Sequence, residues 1–346
     1  MEVSRSLAAG VNGRVVIFAL CVLLWLCGSL VSSQSTQGER IDEVVLPAIG
    51  RDAPGCAVGA FVEERIAFSK GYGVANLATQ QEVTGSTVFD GASLSKQFTA
   101  LALERLRQRG LLAFEDELRQ HLPGFQPNVT VRRLLQHTSG LPDVFTLAEA
   151  SGIGREELMM SDALEILMGL DASASSPEAQ FRYSNSGYVL LSAVVEQLSG
   201  QPFQQYLRKE VFEPLGMLNT RIAGPLDTLD STRAVGYYRD PSSAGRFTTY
   251  SAPVIYGSGG VLTTLEDLFS WHRALYAEAS GTGTRLIDLL SDNSATSGQP
   301  AVPYGLGLRV GTYRGSPLVH HGGGNLGFHH HFASFPDVSR VPWKLV

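Results

Sequence analysis

The sequence predicts an α/β (α+β) fold: an antiparallel sheet flanked by helices, with a helical region inserted at about 97–250 between the first and last strands. Three observations predict it. Two short apolar stretches, Ala57–Val62 and Ile66–Ser69, open the body as a strand hairpin. Apolar residues then recur mainly at helical spacing through residue 250. Strand-like patterns return at Leu306–Val310, Pro317–His321 and His329–Phe335, so the sheet draws strands from both ends of the chain. With 346 residues, 44% hydrophobic and 17% charged, the chain has the means to bury a core of useful size.

Each element has its own signal. Ile41–Gly50 is apolar enough to begin a helix packed on the sheet. Glu64-Arg65 turns between the first two strands, and Gly71-Tyr72-Gly73 ends their hairpin. From Ser93 to Arg109, residues Phe98, Leu101, Ala102 and Leu106 fall on one helical face, and Gly110 stands where a helix stops. Asp116-Glu117-Leu118 opens a short helix that runs to the Pro123-Gly124 turn, and Val131–Gln136 forms another. Ser161 caps a helix through Leu170. Gly187–Gln197 gives a strongly apolar helix, and Pro202–Val211 another that ends at Pro214-Leu215-Gly216. Gly257–Thr263 leads into a helix from Leu265 to Ala277, with Thr264 and Asp267 in capping-box positions.

Charge and cysteine content narrow the function. The net charge is −6, from 27 basic and 33 acidic residues, so a nucleic-acid binder with its basic face is disfavoured. Of three cysteines, Cys21 and Cys27 lie in an N-terminal apolar run and only Cys56 in the body. A disulfide framework and a zinc site of the usual kind are therefore excluded from the body. Val15–Val31 is an unbroken apolar and small-residue run, preceded by Arg5 and Arg14 and followed by Ser32-Ser33-Gln34. It reads as a secretory signal over 1–33, making the body secreted or periplasmic. The alternative is an uncleaved anchor at 15–31, somewhat short of the roughly 20 residues a full span needs. Asn128-Val129-Thr130 is a glycosylation acceptor in a eukaryotic host.

Three segments carry chemistry. In Ser93-Leu94-Ser95-Lys96, a helix places Ser93 and Lys96 on one face. A serine hydroxyl needs a base at hydrogen-bond distance, and a lysine serves once burial or a neighbouring cation lowers its pKa. With four lysines in the chain, about 0.4 Ser-x-x-Lys matches arise by chance, and an N-cap serine with a surface lysine is the plain alternative. In Tyr183-Ser184-Asn185, a tyrosine beside a lysine ammonium ionises more easily and can shuttle the serine proton, while Asn185 holds Lys96 or a substrate carbonyl. In His321-Gly322-Gly323-Gly324, a strand end beside flexible glycines offers a side chain and a free backbone N–H. The amides of Ser93 and Gly324 then form an oxyanion hole.

The order Ser-x-x-Lys, Tyr-x-Asn, His-x-Gly resembles the serine hydrolases of the penicillin-recognising fold, which include class C β-lactamases, D-alanyl-D-alanine carboxypeptidases and related esterases. The flanks agree: Phe89-Asp90-Gly91-Ala92, Gln97-Phe98-Thr99-Ala100, the segment Leu134–Leu141, Pro214-Leu215-Gly216-Met217, Ser258-Gly259-Gly260 with Asp267 and Trp271, and Tyr304-Gly305-Leu306-Gly307. The similarity runs over about 41–338. It implies Ser93 as the acylated nucleophile, Lys96 as base, Tyr183 as proton shuttle, and Asn185, His321 and Gly323 as substrate contacts, with no metal or organic cofactor. His321 replaces the lysine of β-lactamases, which points toward the carboxypeptidase and esterase branches. His137 belongs to a family motif and is expected to stabilise a loop.

Two features stand apart. In a strand, His329 and His331 face one way and His330 the other, so the three do not converge on one ion. After Phe335-Pro336-Asp337 the resemblance implies an apolar strand and a long terminal helix, but Ser339–Val346 ends the chain and contains Pro342, which cannot donate a ladder hydrogen bond. The expectation is an atypical tail at 339–346 that lacks the C-terminal strand and helix. It reflects a truncated or shifted gene, or a variant that does not complete the fold by itself. The expected partner is a small-molecule or peptide substrate. The alternative function is a non-catalytic ligand-binding or scaffold protein.

Overall fold

A computed structural model describes residues 37–336, apart from 50–52, 63–64, 176–179, 225–226, 228–229, 240–245, 252, 280–281 and 295–302. The expected signal segment 1–33 and the tail 339–346 lie outside the described residues, as does Glu64 of the first turn. In chain order the elements are α1 (Gln37–Val45), β1 (Cys56–Val62), β2 (Arg65–Tyr72), β3 (Val74–Asn76), β4 (Gln81–Glu82), β5 (Phe89–Asp90) and α2 (Ser95–Gln108). The helical region holds α3 (Val131–Leu135), α4 (Val144–Ala150), α5 (Met160–Met168), α6 (Asn185–Ser199) and α7 (Phe203–Leu207). There follow β6 (Arg221–Ile222), β7 (Gly236–Arg239), β8 (Phe247–Tyr250), β9 (Val261–Thr263), α8 (Leu265–Tyr276) and α9 (Leu286–Leu290). The last elements are β10 (Arg309–Tyr313), β11 (Ser316–Gly324) and β12 (His329–Ser334). Among the described residues no helix is long and apolar enough to cross a membrane.

Among the described residues the strands pair antiparallel, in five separate hydrogen-bonded sets. β1 pairs with β2, and β10, β11 and β12 form a separate three-stranded sheet. The strands from the two ends of the chain, expected in one sheet, stand in separate ladders among the described residues. Among the described residues, side chains of α8 link β1 to β12. Phe61 of β1 meets the tilted ring of Phe269 at 5.2 Å and stacks on His272 at 5.5 Å. At the far end of the helix, the Tyr276 and Ser334 hydroxyls lie 2.6 Å apart, which ties α8 to β12. A Cβ on Gly59 would come within 2.7 Å of a Leu265 methyl, so β1 and the start of α8 are in close contact there.

The helical region also differs in its last part, where β6, β7 and β8 replace helix. Tyr237-Tyr238 and Phe247-Thr248-Thr249-Tyr250 are β-forming residues, but each strand has only two to four residues. Ser161 lies inside α5 rather than capping it. Met159 is the N-cap, and the Asp162 carboxylate accepts from its backbone N–H at 3.1 Å. Thr264 does cap α8, accepting from the Asp267 N–H at 3.0 Å. The buried Asp267 carboxylate turns instead to the Asn219 N–H at 2.8 Å and the Thr220 hydroxyl at 2.7 Å, fastening the loop after α7 to the start of α8.

At the centre, α2 is buried on every side rather than along one stripe. Lys96, Gln97, Thr99 and Glu104 are as buried as Phe98 and Leu103. Phe98 packs edge-on against Trp271 and Phe212. The polar residues survive burial because each has a partner. Trp271 Nε1 donates to Gln97 Oε1 at 2.9 Å. Ser95 Oγ accepts from the Val261 N–H at 3.1 Å, and Thr99 Oγ1 donates to the Gly257 carbonyl at 2.8 Å. One turn of α2 thus grips the segment 257–261 that borders the site.

Candidate active site

The turn that presents Ser93 is held from both sides. β5 pairs with β9, matching Phe89 with Thr263 and Asp90 with Leu262. The Gly91 N–H then donates to the Val261 carbonyl at 2.8 Å. Ala92 is left-handed at φ +46°, a conformation that costs a non-glycine residue about 1–2 kcal/mol. Two bonds hold it there. The Ala92 N–H donates to Asp90 Oδ1 at 2.9 Å, and Ser95 Oγ donates to the Ala92 carbonyl at 2.6 Å. The short 3₁₀ turn Ala92–Leu94 leads straight into α2, with Ser93 part-buried at the junction.

Lys96, one turn on, is fully buried, and its three donors meet three acceptors. Nζ lies 2.9 Å from Asn185 Oδ1, 2.8 Å from the Ser258 carbonyl and 3.2 Å from Ser93 Oγ. The amide orientation of Asn185 follows from its other end. Nδ2 and the backbone N–H both donate to Asp143 Oδ2, at 3.0 and 2.7 Å, and a carboxylate only accepts. Burial lowers the Lys96 pKa to about 7, with the Asp143 carboxylate opposing and the Arg309 guanidinium assisting. In the neutral amine, Asn185 Oδ1 and the Ser258 carbonyl still require N–H donors. The lone pair is therefore left for the third direction, toward Ser93.

Tyr183 lies near enough to Ser93 for that hydroxyl to favour its ionised form. Lys96 Nζ stands 4.9 Å from the centre of its ring. Its phenol does not ionise more easily, as the sequence suggested. Burial pushes its pKa up to about 12, outweighing the opposing effects of Ser93 and Arg309. At neutral pH it is a proton carrier that starts protonated.

An aromatic wall stands behind these groups. His137 is buried and left-handed at φ +58°, with its ring 4.3 Å from that of Tyr183 and 4.5 Å from that of Tyr304. Its Nδ1 accepts from the Ser184 N–H at 3.2 Å and its carbonyl from the Arg182 N–H at 2.8 Å, so it secures the loop that carries Tyr183. His321, expected as a substrate contact, is turned into this wall and is only 1% exposed. Its Nδ1 donates to the Gly322 carbonyl at 2.6 Å, which leaves Nε2 to accept from the Tyr304 hydroxyl at 2.7 Å. Burial, with Lys96 nearby, holds its pKa down at about 3, so it is a neutral ring with both nitrogens engaged.

Gly323 is likewise engaged elsewhere. A Cβ there would lie 2.3 Å from the Gly91 carbonyl oxygen, so this glycine lets β11 press against the turn that carries Ser93. Gly324 is exposed and differently placed. The Asn325 N–H donates to the Phe328 carbonyl at 3.0 Å. Hydrogen-bonded and non-bonded pairs alternate along an antiparallel ladder, so the next pair, Gly324 with His329, is non-bonded. The Gly324 N–H therefore points away from β12 and is not used in that ladder.

Sequence reasoning missed Asp143, Arg309 and the role of the Ser258 carbonyl. Arg309 lies 5.4 Å from the Tyr183 ring and 5.9 Å from those of Phe181 and Tyr304. Asp143 left one sequence signal: it stands just before the apolar run Val144–Ala150 and caps that helix through the Phe145 N–H. Among the described residues no group of three His, Cys, Asp or Glu could hold a metal ion. Within the histidine triplet, the His331 ring meets that of His320 at 5.3 Å, whereas His330 reaches the Asp90 carbonyl.

Known proteins resemble this chain in sequence and in fold. A penicillin-binding protein of Bacillus subtilis is 31% identical over 278 residues, covering 75% of this chain and 60% of the relative. A D-aminopeptidase of Brucella anthropi is 28% identical over 276 residues, covering 78% of this chain and 51% of the relative. The chain thus spans half to three fifths of the length of these curated relatives. The crystal structure of a penicillin binding protein from Bacillus halodurans superposes with a TM-score of 0.74 at 29% identity, covering 90% of this chain and 94% of that one. The family model described as Beta-lactamase matches residues 41–341, and with it the chain belongs to the beta-lactamase family.

Proposed function

We propose that the chain is a serine hydrolase that cleaves an amide bond in a small, peptide-like substrate through an acyl-enzyme on Ser93. The observation that carries this reading is the buried Lys96, whose one direction not claimed by an acceptor-only group faces Ser93 Oγ at 3.2 Å. With its pKa near 7, a large fraction of Lys96 is neutral at neutral pH and takes the Ser93 proton as Oγ attacks the carbonyl. The amides of Ser93 and Gly324 receive the oxyanion. Tyr183, protonated and beside Ser93, passes its proton to the leaving nitrogen and is reprotonated at the expense of the Lys96 ammonium. Water then enters by the reverse sequence and frees the acid. The names of the relatives, penicillin-binding protein and D-aminopeptidase, support amide-bearing substrates. His321, neutral and turned inward, contributes shape rather than a charge for a substrate anion.

The test is turnover of p-nitrophenyl acetate and of D-alanine p-nitroanilide by the purified chain and by Ser93→Ala. Turnover that disappears in the variant supports the reading, and turnover unchanged in the variant ends it. We also propose export of the body, on the strength of residues 1–33. Recovery of the chain in the cytoplasm with its N-terminus intact would contradict that.

A further inference from the structure

The two amides assigned to the oxyanion belong to different elements. One lies in the turn Ala92–Leu94, the other at the end of β11. Their separation is therefore a tertiary quantity, set by whatever fastens the β11–β12 hairpin to the turn. A misplacement of about 1 Å in such a site can cost on the order of a hundredfold in rate.

Among the described residues, two side chains of that hairpin bond to the residues just before the turn, and both reach Asp90. His330 Nε2 donates to the Asp90 carbonyl at 2.6 Å. Asn325 Nδ2 donates to Asp90 Oδ2 at the longer distance of 3.4 Å. Asp90 is also the residue whose other carboxylate oxygen holds the left-handed Ala92, next to Ser93. On the same face of the hairpin, Gly323, the ladder partner of His330, lies directly against Gly91 with no room for a side chain. Contact at Gly323 sets the closest approach, and the bond from His330 keeps the two elements from drifting apart.

The ring of His330 is built for this. It lies parallel to Phe328, at 6.3 Å and 14°, and edge-on to Phe89 at 6.1 Å, so its orientation is packed in place. Burial lowers its pKa to about 4, so at neutral pH it carries a single N–H, and a carbonyl oxygen can only accept it.

We propose that His330 is a positioning residue: its bond to the Asp90 carbonyl sets the spacing of the Ser93 and Gly324 amides. This rests on the serine-hydrolase reading above. It gives the middle histidine of the triplet a task that is neither metal binding nor contact with substrate.

The test compares an ester with its thiono analogue, because sulfur fits an oxyanion site poorly and the oxygen-over-sulfur preference reports the site's geometry. The substrates are p-nitrophenyl acetate and the corresponding thionoacetate, and the readout is the ratio of their kcat/KM values. In His330→Leu we expect kcat/KM for the oxygen ester to fall at least tenfold, through kcat rather than KM, and the preference to collapse toward unity. His330→Gln, whose amide nitrogen can stand where Nε2 does, should restore most of both. His330→Asn is too short to reach Asp90 and should behave like His330→Leu, which keeps the test decisive if the leucine variant fails to fold. A wild-type preference in Leu or Asn variants would overturn the inference, as would an equal loss on both substrates. A wild-type chain that turns over neither ester while Ser93 stays unmodified would remove the serine-hydrolase reading and this inference with it.

Discussion

Replacing Asp143 by asparagine removes a charge that faces Lys96 and leaves the shape of the site nearly intact. The Asp143 carboxylate reaches Lys96 through Asn185, by bonds of 3.0 Å at one end of the amide and 2.9 Å at the other. That path places a carboxylate oxygen within about 8 Å of Nζ. At an effective dielectric near 20, a unit pair at that distance is worth about 2 kcal/mol, or about 1.5 pK units. The sign follows from the charges. A carboxylate favours the ammonium and raises the Lys96 pKa, so its removal lowers that pKa from about 7 toward the range of 5 to 6. The competent form is the neutral amine, and kcat/KM against pH reports the free enzyme's base. The acid limb of that profile, measured with p-nitrophenyl acetate, should stand near pH 7 in the native chain. In Asp143→Asn it should move down by 1 to 1.5 units. The plateau should fall several-fold, because a weaker base removes the serine proton less readily. A limb that stays near 7, or moves upward, would refute the assignment of Lys96 as the base.

Further predictions concern stability. Lys96 has a folded pKa near 7 against an ordinary value of 10.5, so between those values the unfolded chain binds more protons. Its contribution is therefore least favourable below pH 7 and recovers as pH rises from 7 toward 10.5, by at most about 5 kcal/mol. Lys96→Met should remove this slope from urea midpoints measured across that window, whatever fixed cost it adds by stranding Asn185 Oδ1 and the Ser258 carbonyl. Gly323→Ala forces a Cβ to within 2.3 Å of the Gly91 carbonyl, and should cost about 1–3 kcal/mol in thermal unfolding and slow acylation of Ser93 more than tenfold. Trp271→Phe strands the buried Gln97 Oε1, which should cost about 1–3 kcal/mol by urea titration and leave the pH profile unmoved.

What could be read from the sequence follows from the range of each signal. Ser93 and Lys96 are linked by local helical spacing, and Asn185 stands at the start of an apolar helix, so both were visible. Their meeting, Nζ with Oδ1 across 89 residues, rested on the motif order. Burial was not visible, and burial decides the chemistry. It makes Lys96 a base near neutrality, and it turns Tyr183 away from the ionised form that a neighbouring ammonium suggested. The inward turn of His321 was partly available. Residues 319, 321 and 323 alternate onto one face of β11, and the apolar Val319 marks that face as the buried one. Strands as short as β6, with two residues, fall below any periodicity window. Among the described residues the link from β1 to β12 runs through side chains of α8, contacts between residues far apart in sequence that no local pattern announces.

The most direct test of the central claim is to treat the purified chain with a fluorophosphonate at pH 8 and map the adduct by mass spectrometry, with Lys96→Ala in parallel. The account predicts one adduct, on Ser93, and its loss in the lysine variant. An adduct on another serine, or equal labelling of Ser93 without Lys96, would contradict it.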